Sequence, residues 1–574
     1  MGTGDKETTV YDLDPAAVFD TIFNNHVFER TSTAVKMEPV ESHTDAADFK
    51  NAESHVEEVA IARITDEEIF NLSAESLTWK SWTGFRIFLI MVVQGSCMAG
   101  YGIDWAVIGG INNFPAWHSY FNFKDTGSTI ATFNALMTIG SVCAAPFLAL
   151  GDVIGRRGVI FAGNFIVLVA AFIQAFSTGI PMFMAGRFFL GFGSALMSQP
   201  QYMGEVAPTH LRGLLVGLYG ACFQFGSVFM SAGLIGLGTM TNNWSWRIPL
   251  LLEGFFPAIV CSTIYFISPE SPRYLILKGR KEDAAKVIAR YHTTEGNNIE
   301  HPLVKAVVQQ MEDSVADDTN KEIWDWRGFF KKGARSRVGV LVLYSIFQSW
   351  NGGGIIGQYL GPACETVGIT STTAKNGFSF GSTLTYLIFT IVGSFIIDKM
   401  WRRHLIFIGI TCIILIQTAI TILSWQYSKT ENQATAILTI FFFFVFQACS
   451  ATFIATMHNI YPVEILSLSL RAKGMGLYSL IQSAANTVQN YGIAVGFEKI
   501  GYKLWVVYIV YNTIQLGLSY FCFPETSALS LEEIDAVFET PGVKPVKMSL
   551  DIKKAQKEHD RLEAELAARE NPAN

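Results

Sequence analysis

The sequence predicts an all-α membrane protein with twelve spanning helices arranged as two six-helix halves. Three observations predict it: twelve apolar runs of spanning length, charge gathered in the stretches between and beyond them, and motifs that recur in order about 250 residues apart. Half of the 574 residues are hydrophobic, only 16% are charged and 44 are Phe, with a mean hydropathy of +0.30. A water-facing surface on a chain this long needs more charge than that. The charge concentrates at residues 1–80, 270–337 and 525–574, which marks those stretches as aqueous and the rest as lipid-embedded.

A bilayer core needs about 20 apolar residues in helix. Runs of that length are predicted at 86–111, 127–149, 159–178, 182–203, 214–236 and 248–267, then at 338–360, 378–397, 404–424, 434–457, 475–496 and 503–523. The organisation that follows is a polar tail (1–80), a first half (81–269), a central loop (270–337), a second half (338–524) and a C-terminal tail (525–574). Residues 1–80 are rich in Asp, Glu, Ser and Thr and are expected to be a disordered tail. They hold no early apolar core, so no cleavable signal peptide is expected and the first apolar helix serves as the insertion signal. The central loop carries about a dozen Lys and Arg. Arg156, Arg157, Lys399, Arg402, Arg403, Arg471 and Lys473 fall on the same side, which favours both termini in the cytoplasm. A helix is expected at Lys281–His292. A second, solvated one is expected over 550–569, where basic and acidic residues alternate at helical spacing.

Several functions are excluded. A net charge of −7 without a basic stripe gives no nucleic-acid surface. The eight Cys are scattered, without a CxxC pair, and read as small packing residues. No metal cluster or catalytic triad is apparent, and Gly352–Gly354 lacks the Lys and Ser/Thr of a phosphate loop. Neither enzyme nor cofactor is expected.

The repeat is in register. Gly151-Asp-Val-Ile-Gly-Arg-Arg157 recurs as Ile397-Asp-Lys-Met-Trp-Arg-Arg403, and Glu205 through Gly213 recurs as Glu464 through Gly474. Pro269-Glu-Ser recurs as Pro524-Glu-Thr. Two repeated halves imply a solute site near the bilayer midplane and alternating access by rocking. At the helix ends, Arg156, Arg157 and Arg212 are expected to pair with Asp152 and Glu205. In the second half Arg402, Arg403 and Arg471 are expected to pair with Asp398 and Glu464. Inside the bundle, Asp104 in the first span is a costly carboxylate unless paired or protonated, and Arg187 in the fourth is an embedded base. The two are expected partners. Protonation of Asp104 releases Arg187 in a proton-coupled carrier; a static pair makes a facilitator.

The chain resembles the sugar-porter family of the major facilitator superfamily over residues 85–540. The resemblance is carried by Gly-Asp-Val-Ile-Gly-Arg-Arg-Gly (151–158), Gly-Arg-Phe-Phe-Leu-Gly-Phe-Gly (186–193), Tyr-Met-Gly-Glu-Val-Ala-Pro-Thr-His-Leu-Arg-Gly (202–213), Trp-Arg-Ile-Pro (246–249), Pro-Glu-Ser-Pro-Arg-Tyr-Leu (269–275) and Pro-Glu-Thr (524–526). Tyr-Pro-Val-Glu-Ile-Leu (461–466) and Phe-Gln-Ser-Trp-Asn-Gly-Gly-Gly (347–354) are most similar to the fungal lactose-permease and cellodextrin-transporter branch.

The resemblance implies a major facilitator fold, a sugar as solute, a gating role for the acid–Arg sets, and proton coupling through Asp104 and Arg187. It also implies that Gln224 contacts sugar hydroxyls. Gln348, Ser349, Asn351, Gln358 and Tyr359 in span seven, Asn459 beside His458 in span ten, and Asn486 in span eleven are further candidates, because hydroxyl-rich solutes need neutral donors and acceptors. Span seven departs from the branch, which reads Ser-Gln-Trp-Ser-Gly-Asn-Gly followed by Tyr-Tyr: Ser349 replaces Gln, Gly353 replaces Asn and Gln358 replaces Tyr. The solute therefore stays open among a disaccharide, a monosaccharide and a non-sugar metabolite, and a non-transporting sensor is the reading from another class. The expected carrier is a monomer in the plasma membrane whose partners are the solute, protons and lipid. Asn243-Trp-Ser245, in a loop expected outside, is a candidate glycosylation acceptor.

Overall fold

A computed structural model describes residues 66–570, except 78–79, 124–127, 297, 320–326, 331, 359, 366–367, 398, 459, 468–470, 528, 530 and 541–542. Every regular element among the described residues is helical.

Helix α1 (Asp66–Ser76) precedes the first half, whose long helices are α2 (Trp82–Ile111), α3 (Ser128–Leu148), α4 (Arg156–Ala175), α5 (Ile180–Val206), α6 (Thr209–Leu237) and α7 (Trp244–Ile267). The central loop holds α8 (Lys281–His292) and α9 (Pro302–Thr319). The second half contains α10 (Lys332–Ser349), α11 (Thr372–Ile396), α12 (Arg402–Thr430), α13 (Gln433–Ile465), α14 (Arg471–Ile500) and α15 (Leu504–Cys522), followed by α16 (Leu531–Glu539) and α17 (Pro545–Glu570). Nine of these, α2–α7 and α11–α13, are long and apolar enough among the described residues to cross a membrane. Helices α10, α14 and α15 occupy the other three expected runs. Of these, α10 and α14 are more polar, and α14 alone carries Gln482, Asn486, Gln489 and Asn490. Span seven is broken: α10 stops at Ser349, and Gly352 turns the chain at a φ of 97°.

Apolar side chains cover the outside of the bundle. Phe266 is 90% exposed and Phe395 and Phe521 exceed 70%, a liability in water and the ordinary contact in lipid. Inside, small residues allow backbones to touch. A Cβ on Gly102 would strike the Phe223 carbonyl, and one on Gly226 the Ala99 carbonyl, so α2 and α6 cross at backbone contact.

Two peripheral parts are more ordered than the sequence suggests. Residues 66–76, inside the expected tail, form α1, whose Ile69 packs with Ile288, Leu303, Val304 and Val307 of the central loop. Ser73 Oγ lies 2.7 Å from His210 Nδ1, and the Ser76 carbonyl accepts from Thr294 N at 3.1 Å. The remainder of the expected tail, 1–65, lies outside the described residues. At the other end, α17 is not wholly solvated. Ile552 and Lys553 are buried, and Ser549 Oγ accepts from Glu525 N at 3.0 Å. Arg337 ties α10 to α16 through Asp535 at 2.7 Å.

Candidate functional site

The repeat seen in the sequence is also a repeat of contacts at the end of the bundle that carries the central loop. In the first half, Arg156 lies 3.0 Å from Asp152 and 3.5 Å from Glu205, and Glu205 accepts Ser271 Oγ at 2.5 Å. In the second, Arg402 lies 3.1 Å from Glu464, which accepts Thr526 Oγ1 at 2.5 Å. The carboxylate of Glu270 accepts Arg157 N at 3.2 Å, and that of Glu525 accepts Arg402 N and Arg403 N at 2.9 and 3.0 Å. Arg157 donates to the Ser268 carbonyl at 3.2 Å and Arg403 to that of Phe523 at 2.8 Å. Tyr202 and Tyr461 donate to the carbonyls of Pro269 and Pro524. The expected pairing of Arg157 with Asp152 or Glu205 is corrected: its carboxylate is Glu270, because Arg156 already occupies the other two. Arg212 is half-buried near the start of α6. Asp398 and the side chain of Arg471 lie outside what is described.

Inside the first half, toward the end away from the central loop, Asp104 of α2, Gln174 of α4, Arg187 and Ser194 of α5 and Glu253 of α7 converge with no solvent exposure. Ser194 Oγ donates to Asp104 Oδ2 at 2.6 Å. Arg187 lies 3.6 Å from Glu253, whose second oxygen accepts Gln174 Nε2 at 3.0 Å. The expected Asp104–Arg187 pair is therefore corrected. The ion partner of Arg187 is Glu253, a residue the sequence reading passed over. Its signal was available, since Glu253 is an acid within the predicted run 248–267.

The matching depth of the second half holds amides. The Asn351 carbonyl accepts Gln417 Nε2 at 2.9 Å and Asn512 Nδ2 at 3.2 Å, and Asn512 also donates to Gln417 Oε1 at 2.9 Å. The broken span seven supplies the free carbonyl that these amides need. Gln417 and Asn512 were missed for the reason that a lone amide in an apolar run reads as packing.

Of the predicted solute residues, Gln224 and Asn486 are half-buried, and neither side chain has a hydrogen-bond partner among the described residues. Three others are engaged by the protein. Gln348 donates to Tyr344 Oη at 2.6 Å and to the Ile454 carbonyl at 3.2 Å. Ser349 Oγ donates to the Ser345 carbonyl at 3.2 Å, and Asn351 caps the break by accepting Gly353 N at 2.7 Å. Tyr359, Asn459 and the side chain of Gln358 lie outside the description. Asn243 is exposed, while Ser245 of the same sequon is buried in the first turn of α7.

At the end away from the central loop, the halves are joined directly. Asn113 Nδ2 donates to Asn376 Oδ1 at 2.7 Å, Asn376 Nδ2 to the Leu234 carbonyl at 3.0 Å, and Thr372 Oγ1 to the Asn113 carbonyl at 3.2 Å. These clasp α2 and α6 to the start of α11. The described ion pairs at the loop end each stay within one half.

The model of the family "Sugar (and other) transporter" matches residues 88–538. The chain belongs to that family. Sugar-transporter family relatives agree along nearly the whole membrane part. The chain is 28% identical over 471 residues to the MFS-type transporter oryC of Aspergillus oryzae, covering 80% of this chain and 86% of that one. It is 26% identical over 522 residues to myo-inositol transporter 3A of Cryptococcus neoformans, covering 86% and 84%. The inward-open structure of the E. coli xylose transporter XylE superposes with a TM-score of 0.65 at 20% identity, covering 79% of this chain and all of that one. The fold is that of the major facilitator superfamily. The protein is a membrane transporter and not an enzyme.

Proposed function

We propose that this transporter imports a neutral, hydroxyl-rich solute, a sugar or polyol, together with a proton. Twelve spans rock as two halves about a midplane site, with both termini cytoplasmic. The protein acts as a monomer at the cell surface. The observation that carries the coupling is the composition of the buried cluster. Two carboxylates, Asp104 and Glu253, share a dry site with one guanidinium, Arg187. An uncompensated charge there costs several kcal/mol. One proton on the cluster removes the imbalance, and its departure leaves a negative charge that Arg187 must divide between two acids. The Ser194 hydroxyl accommodates both forms of Asp104, since it donates or accepts.

The neutral solute follows from the other half. The buried network there is made of the amides Gln417 and Asn512 on the Asn351 carbonyl, and α6 of the first half adds Gln224, half-buried and with no hydrogen-bond partner among the described residues. Neutral donors and acceptors of this kind suit hydroxyls and release the solute more readily than ions would. The similarity to a protein named as a myo-inositol transporter supports a monosaccharide-sized ring. A disaccharide of the lactose or cellodextrin type is the second reading, favoured by the runs 461–466 and 347–354.

The test is uptake in cells lacking their own carriers. Labelled glucose, xylose, myo-inositol, lactose and cellobiose are supplied with and without a protonophore. A hydroxyl-rich solute accumulated only in the absence of protonophore is expected. Accumulation that ignores the protonophore removes the coupling, and no uptake of any of them removes the solute class.

A further inference from the structure

We propose that the loop-side edge of the first half holds the phosphate of an anionic phospholipid, in a basic pocket between α8 and the ends of α4 and α7. Two adjoining cavities of about 470 and 480 Å³ share Arg157, Lys286 and Val287. They lie where the span α7 ends. Tyr265 and Phe266 form the floor, Arg157 the back wall, and Lys286 with Arg290 the roof.

The charges of this pocket do not balance within the protein. Its walls carry Arg157, Arg280, Lys286 and Arg290 against Glu270 and Asp283. Arg280 pairs with Asp283 at 2.8 Å, and Arg157 lies 3.8 Å from Glu270. Lys286 has only a 3.5 Å approach to the already paired Asp283, and Arg290 has the Tyr291 ring at 6.0 Å. Both are exposed. They stand four residues apart on one face of α8, a spacing at which like charges repel. A single phosphate between them converts that repulsion into two charge-assisted hydrogen bonds.

The floor indicates that the phosphate belongs to a lipid. Phe266 is 90% exposed at the central-loop end of α7. Tyr265 beside it carries the Arg157 guanidinium at 4.8 Å over its ring. Hydrocarbon therefore meets Phe266 directly beneath the cations, and an amphiphile with its head among Lys286 and Arg290 lays its chains along that side chain. Basic pockets at this depth on the cytoplasmic side suit anionic headgroups. The second half repeats the stacked Arg and the exposed Phe: Arg403 sits 5.2 Å over Tyr520, and Phe521 is 73% exposed.

The experiment uses full-length protein in nanodiscs of phosphatidylcholine with trace labelled phosphatidic acid, and compares wild type with K286Q/R290Q and with K399Q, a basic residue outside the pocket. Wild type and K399Q should retain phosphatidic acid over phosphatidylcholine. The double variant should lose about 30-fold of that preference, each basic residue near an anionic surface contributing about fivefold. Thermal unfolding of each sample verifies that the variants are folded. Equal retention by wild type and double variant overturns the proposal. So does protection of the wild type against heat by inorganic phosphate to the same degree as by phosphatidic acid, which would make this a site for free anion and not for lipid.

Discussion

The two halves of this transporter are alike at the loop end and unlike inside the bundle. At the loop end each half repeats one device: an Arg on a Glu, that Glu on a hydroxyl, and a second Glu on a backbone amide at the start of a spanning helix. Inside the bundle the first half buries three ionisable groups, and the second buries Asn351, Gln417 and Asn512. The end that must open and close in every carrier of this plan has kept its symmetry. The buried polar clusters have lost it, with charge on one side and neutral hydrogen bonding on the other. In the function proposed above, that division gives the proton to the first half and most solute contacts to the second.

The largest effect should come from breaking the charged side. Arg187→Gln leaves Asp104 and Glu253 without their guanidinium in a fully buried site, and a stability loss of about 3–5 kcal/mol is expected. Gln417→Leu on the neutral side removes hydrogen bonds only, for about 1–3 kcal/mol. Thermal unfolding of the purified variants measures both. Equal losses would erase the contrast.

Acid should loosen α8 of the central loop before α16. His292 of α8 is buried against the Val206 carbonyl, and burial pushes its pKa down to about 4. An unfolded His titrates near 6.5, so between those values the unfolded state binds more protons and stability falls as pH falls. Above about pH 6.5 the group has no effect. Hydrogen exchange in α8 should rise between pH 6.5 and 4 before it rises in α16, which is held by the Arg337–Asp535 pair.

The two loop-end devices should respond similarly but not equally. Glu464→Gln is expected to change the reorientation rate more than Glu205→Gln, because Arg402 meets its acid at 3.1 Å and Arg156 at 3.5 Å. Solute counterflow reads the ratio. The smallest change is at the solute face. Gln224→Ala should raise KM about tenfold, one lost hydrogen bond of about 1.4 kcal/mol, at wild-type surface level.

The sequence carried the element types almost completely, because a spanning helix is written in composition alone, and a repeat of motifs such as Glu205 and Glu464 is visible without coordinates. Partner choice was less legible. Asp104 and Arg187 were recognisable as embedded charges, but Glu253 was what met Arg187, and only packing decides between two acids. Gln348, Ser349 and Asn351 looked like solute ligands because they are polar in an apolar run. All three also hydrogen-bond within the protein, and Asn351 does so at the break beside Gly352, which no periodicity in the sequence announces. Helix α1 was hidden because its apolar face is short, with Ile69 burying its surface only against the central loop.

The most direct measurement is proton movement in proteoliposomes reconstituted with wild type or Asp104→Asn, with the solute added outside and internal pH followed by a trapped dye. The account predicts solute-dependent acidification for wild type and none for Asp104→Asn, with solute counterflow retained by both. Solute entry into wild-type vesicles without any change of internal pH would contradict it.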